Sequence, residues 1–66
     1  MGLTDEQKEI INLVVDGQTN IQIAEELGYC ERSIKNRLKK IYKLFNVENR
    51  AGLIREAMAM HFADLI

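Results

Sequence analysis

The chain has no proline, no tryptophan, one cysteine, one histidine and only four glycines in 66 residues. Each shortage excludes something. One cysteine forbids an internal disulfide and any multi-cysteine metal site, and with a single histidine a zinc finger fails on ligand count. So little proline and glycine leaves few breaks, which favours helices joined by short turns. No run reaches the roughly 18 apolar residues of a membrane span, and the N-terminus lacks a signal-peptide pattern. Glu6 stands where a myristoylation signal needs serine or threonine. A soluble protein of a reducing compartment, the cytoplasm, is expected, with no membrane partner.

What is present is globular in composition, 47% apolar and 29% charged, rather than disordered. A chain this short makes one domain, residues 1–66, and needs well-packed helices or an oligomer to bury enough surface. The net charge of −1 argues at first against nucleic acid, but its distribution is lopsided. Arg32, Lys35, Arg37, Lys39, Lys40 and Lys43 lie within twelve residues that hold no acid, whereas Asp5, Glu6, Glu9, Asp16, Glu25, Glu26 and Glu31 precede them with Lys8 as the one cation. A folded domain with this asymmetry carries a positive face, and the local field outweighs the total. The same run read blandly is a solvated helix surface.

Four helices are expected, at about 5–16, 20–27, 31–45 and 49–63. Thr4 with Gln7 and Thr19 with Gln22 are capping-box pairs that start the first two. Asp16-Gly17 and Gly28 end them. Ile10, Ile11, Leu13 and Val14 supply a buried face on the first, and Ile23, Ala24 and Leu27 a shorter one on the second. A turn of about four residues follows, and two helices so joined match a helix-turn-helix. Cys30 falls at the third helix's cap position, where a thiol is a weaker acceptor than a hydroxyl. Asn49 is the expected cap of the fourth.

The third helix has two sides. At about 100° per residue, Ile34, Leu38, Ile41 and Phe45 fall within an arc of about 60°, while Arg32, Lys35, Asn36, Lys39 and Lys43 cluster opposite within about 100°. Surface helices usually mix charge signs for i,i+4 support, which this basic run is expected to lack. A long basic face flanked by an amide suits the major groove. In the fourth helix Leu53, Ile54, Ala57, Met58, Met60, Phe62 and Leu65 spread over more than one stripe. Part of that surface is expected to meet a second subunit, through Leu53, Ile54, Ala57, Met58 and His61; the alternative is a helix that only completes the core.

Leu3-Thr4, Glu9-Ile10, Gly17, Thr19-Asn20, Ile23-Ala24-Glu25, Leu27, Glu31, Ser33-Ile34-Lys35-Asn36, Ile41, Leu44, Val47 and Asn49-Arg50, taken together and in register, resemble the LuxR-type (GerE-type) helix-turn-helix of bacterial transcription regulators. The resemblance runs from Leu3 to about Ala57. It implies an all-α, four-helix domain that commonly dimerises through its last helix. It also implies base reading from Lys35, Asn36 and Lys39, with Asn20, Arg32, Ser33, Lys40 and Lys43 as candidates for phosphate, to which the basic run adds Arg37. Lysine can donate to guanine O6 and N7, and asparagine can pair with adenine. The chain departs from the pattern at Arg37, where histidine is frequent, at Gly28-Tyr29-Cys30, which replaces a more apolar turn closed by serine, and at Phe45-Asn46, where Leu-Gly is usual. The role of Arg37, phosphate contact or brace, and the end of the third helix are thereby open. These 66 residues do not include the receiver or ligand-binding domain usual in such regulators, which suits a free-standing regulator or an output domain alike.

The function expected is a sequence-specific regulator of transcription that binds double-stranded DNA as a homodimer, with RNA polymerase or a full-length regulator as further candidate partners. The alternative is a small protein-interaction module that pairs through its last helix with another regulator. A sigma-factor-like helix-turn-helix is a third possibility. No catalytic residue, metal site or cofactor is expected: His61 sits in an apolar tail, and Cys30 has no histidine or carboxylate partner placed by sequence.

Overall fold

Four helices in sequence, α1 (Asp5–Val15), α2 (Asn20–Leu27), α3 (Glu31–Phe45) and α4 (Arg50–Leu65), make up the computed structural model. The structure describes residues 2–65, and of the side chains those up to position 60. Among the described residues there is no strand, so the all-α architecture expected for a LuxR/GerE-type helix-turn-helix is what forms.

The helix starts follow local chemistry. Thr4 and Thr19 each accept from the backbone N–H three residues on, and Gln7 and Gln22 accept in return from the two threonine N–H groups at 2.9 and 2.8 Å. Asn49 caps α4, its Oδ1 accepting from Gly52 N–H at 2.9 Å, so that helix begins at 50 rather than 49. Cys30 holds the cap position of α3 but makes no capping hydrogen bond. Its thiol instead donates to Ser33 Oγ at 3.5 Å.

The helix ends share one device. Gln18 N–H reaches Leu13 C=O, Tyr29 N–H reaches Ala24 C=O, and Val47 N–H reaches Tyr42 C=O, each five residues back. Such closure needs a left-handed residue just before the donor. Gly17 (φ 90), Gly28 (φ 78) and Asn46 (φ 56) supply it. Asn46 therefore ends α3 in the way glycine would, because asparagine tolerates this region better than other side chains. Despite the departure at Phe45-Asn46, α3 ends at Phe45, as expected. The turn between α2 and α3 is residues 28–30, as the expected helix bounds 20–27 and 31–45 imply.

One core binds all four helices. Ile10, Ile11 and Val14 of α1, Ile23 and Ala24 of α2, Ile34, Leu38 and Ile41 of α3 and Leu53 of α4 are buried together. Leu3, Leu13, Leu27, Tyr29, Tyr42, Phe45, Val47, Ile54 and Ala57 pack around them half-buried. Leu53 at 0% exposure is a correction to its expected place in a subunit interface. It lies on the side of α4 that faces the other three helices, where its side chain has no access to a partner. Gly52 beside it is buried too, and a Cβ there would stand 3.1 Å from Val47 Cβ. The α3–α4 connection thus crosses the start of α4 at a distance only glycine accepts without a shift.

Candidate nucleic-acid interface

Burial of Ile34, Leu38 and Ile41 determines which way the rest of α3 points. Arg32, Lys35, Asn36, Lys39, Lys40 and Lys43 are all exposed, and Ser33 is half-buried. The three expected base-reading residues, Lys35, Asn36 and Lys39, share this face with Arg32 and Lys43, as the helical wheel requires. Lys40 lies to one side, where Asn36, Arg37 and Lys40 line a cleft of about 310 Å³ with Thr4, Glu6, Gln7 and Ile10 of the α1 region.

The run is not wholly free of mixed signs. Lys35 Nζ lies 3.3 Å from Glu31 Oε1, an i,i+4 ion pair with the two side chains 59% and 41% exposed. Glu31 lies just upstream of the basic run, so counting charges within the run missed it. So exposed a pair is weak, and a phosphate or base edge can replace the carboxylate as the partner of Lys35.

Arg37, for which phosphate contact and bracing were both open, is engaged within the domain. Its Nε donates to Glu6 Oε1 at 2.9 Å, and its guanidinium lies 4.0 Å over the Tyr29 ring. The Tyr29 hydroxyl donates to the other oxygen of Glu6. One carboxylate of α1 thereby ties the turn to α3, and Arg37 acts as a brace. The wheel held a signal for this: at about 100° per residue, Arg37 lies about 60° from Ile34, beside the buried face and off the basic stripe. Nothing local marked Glu6 or Tyr29, whose partners are 31 and 23 residues away.

Glu6 is held below its ordinary carboxyl value of 4.5, first by the Tyr29 hydroxyl and then by Arg37. An acid lowered in the folded state adds stability that is present above its unfolded value and lost as pH falls through the folded one. Acidification is therefore expected to lower the melting temperature below about pH 4.5, modestly, because the group is half-exposed and screened. Glu6→Gln should flatten that part of the acid limb. Melting curves of the two chains that run parallel from neutral pH downward would show that the carboxylate contributes nothing.

Asn20, a candidate phosphate contact, turns its side-chain carbonyl to Arg50 Nη1 at 2.9 Å, which leaves its amide N–H groups as donors. Arg50 Nη2 donates to the Gln18 carbonyl. This arginine at the start of α4 clamps the α1–α2 turn and the first residue of α2. Its position after the Asn49 cap was legible, but its task depends on a contact across 30 residues. Arg50→Ala is expected to cost about 1–3 kcal/mol, since charge-assisted bonds to two acceptors are lost. A chemical-denaturation midpoint within error of the parent would remove the clamp from the account.

At Cys30 the thiol is exposed, and the Ser33 hydroxyl beside it pulls its pKa below the ordinary value. Among the described residues no group of histidine, cysteine and acidic side chains is placed to hold a metal ion, and no helix is long and apolar enough to cross a membrane.

The second surface feature is apolar. Leu3, Ile11, Leu13, Val15, Phe45, Ala57, Met58 and Met60, with Lys8, Asn12 and Asp16, line a groove of about 710 Å³ between α1 and α4. None of the basic residues of α3 takes part in it. Val15, Met58 and Met60 are 39%, 43% and 41% exposed along it. Of the expected interface residues, Met58 is exposed, Ile54 and Ala57 are half-buried, and Leu53 is in the core; the His61 side chain lies outside the described residues.

Comparison with known proteins gives a family. Residues 1–57 match the family described as bacterial regulatory proteins, luxR family. The chain is 38% identical over 52 residues to the transcriptional regulatory protein DesR of Bacillus subtilis, covering 79% of this chain and 26% of DesR. It is 36% identical over 56 residues to the transcriptional regulatory protein MctR of Rhizobium johnstonii, covering 85% and 26%. With the probable transcriptional regulatory protein NarL of Mycobacterium tuberculosis it shares 29% identity over 62 residues, covering 94% and 29%. It thus spans about a quarter of the length of these relatives. No solved structure matches it.

Proposed function

The chain belongs to the luxR family of bacterial regulatory proteins, and from that premise we propose that it is a sequence-specific DNA-binding unit of transcription regulation, with α3 in the major groove. The observation that carries this reading is the exposed face of α3, where Lys35, Asn36 and Lys39 stand together with Arg32, Lys40 and Lys43 and with no acid between them. An α-helix fits the width of the major groove. Lys35, Asn36 and Lys39 are then the base readers, and Arg32, Lys40 and Lys43 neutralise phosphates, aided by Ser33 and by the amide of Asn20.

The protein binds as a homodimer in this reading. A single 66-residue domain of net charge −1 offers few phosphate contacts, and two copies double them on a two-fold related site. Ile54, Ala57, Met58 and His61, with the apolar wall of the α1–α4 groove, are the surface assigned to the second copy. Half-sites then lie about one helical turn apart.

Selection of bound sites from a random oligonucleotide pool tests the proposal. A two-fold symmetric consensus is the expected result and would report binding, dimerisation and spacing together; a pool with no enrichment overturns the reading. The α1–α4 groove also favours a second one, in which the chain pairs with a full-length regulator and modulates it. Sedimentation showing hetero-association by a chain without DNA affinity would select that function instead.

A further inference from the structure

The Glu6–Tyr29–Arg37 constellation does more than the fold alone requires. Both oxygens of one carboxylate are used, one by the turn and one by α3, and the arginine they hold is central in the basic run. Arg37 follows Asn36, and both line the cleft that ends on Lys40. The half-buried guanidinium stands over the Tyr29 ring, 4.0 Å from its centroid, and a negative charge sits beside it. Pairing with Glu6 part-neutralises this cation and occupies its Nε–H, which makes it a weaker phosphate ligand than a cation with no acid beside it.

We infer that Glu6 is a specificity-determining residue of DNA binding: it withholds Arg37 from the phosphate backbone and sets the seating of Asn36 and Lys40. The inference rests on the proposed DNA-binding function. Sequence-blind affinity grows with each phosphate neutralised, while discrimination comes from base edges. Withdrawing one of six closely spaced cations lowers affinity for every sequence, while anchoring α3 at Arg37 keeps the neighbouring base reader in register. The turn takes part through the Tyr29 ring, on which the guanidinium rests, and through its hydroxyl, which aims the carboxylate.

The test compares the parent, Glu6→Gln, Arg37→Gln and the double variant on a selected site and on a random duplex across a salt series. Glu6→Gln is close to isosteric on a half-exposed side chain; Glu6→Asp, which keeps the charge but shortens the reach, is measured beside it so that the result does not depend on one fold. Release of Arg37 is expected to tighten random-duplex binding by Glu6→Gln several-fold. The salt slope should steepen by about 0.9, one phosphate contact, and the ratio of selected to random affinity should fall. Glu6→Asp should move in the same direction. In the Arg37→Gln background the change of slope should vanish, because the freed cation is absent. An unchanged slope and ratio in both Glu6 variants, or an equal change without Arg37, overturns the inference. A parent chain that binds neither duplex would instead overturn the DNA-binding function itself, so the two failures are distinct.

Discussion

Leu53→Ala is expected to lower the unfolding free energy by about 2–5 kcal/mol, equally at low and high protein concentration. The side chain is fully buried among Ile10, Val14, Ile23, Ile34 and Ile41. Truncation removes apolar contact and leaves a cavity that four short helices cannot readily close. A domain of this length has a total stability of about 3–10 kcal/mol, so the penalty is a large share of it and the melting temperature should fall sharply. Met58→Ser makes the contrast. Met58 is 43% exposed, and its loss should leave the monomer within about 0.5 kcal/mol of the parent while weakening self-association. Denaturation at two concentrations separates them: a Leu53→Ala penalty that fades on dilution would return the residue to the subunit interface.

Lys39→Ala is expected to weaken binding to a selected site by about 1–3 kcal/mol, roughly 5- to 150-fold, and to relax discrimination at one base pair. Lys39 is exposed in the middle of the basic stripe, one turn from Lys35 and Lys43. Lys43→Ala should act differently: it should weaken all sequences alike and reduce the salt slope by about 0.9. The difference arises because a base edge carries sequence information and a phosphate does not. Titrations of the selected site and of single-base variants at two salt concentrations measure both effects. Should both substitutions leave affinity unchanged, α3 is not the groove-reading element.

Elements written in neighbouring residues were open to reading. Both capping boxes join residues three apart, and the glycine ends of α1 and α2 rest on one residue each. The two-sided character of α3 follows from a repeat of three and four. Each of these is a relation within one or two helical turns, which composition and spacing express directly. The end of α3 was less legible, since Asn46 does glycine's work in the left-handed region. So was the start of α4, where the cap itself was identified but the helix begins one residue beyond it.

Relations between helices were another matter. Leu53 and Met58 are both apolar residues of one helix whose apolar positions form no single stripe, and only the packing of α1, α2 and α3 determines that the first is inside and the second outside. Arg37 and Lys39 are both cations of one run, yet Glu6 and Tyr29 capture the first. Arg50 looked like part of a helix start and proved to be a clamp on a distant turn. The sequence by itself determined a small all-α domain with a basic face on its third helix, because periodicity, caps and local charge are short-range properties. Which apolar residues close the core, and which cations are tied to other helices, was decided by the tertiary structure, because those outcomes depend on partners some 20 to 30 residues away.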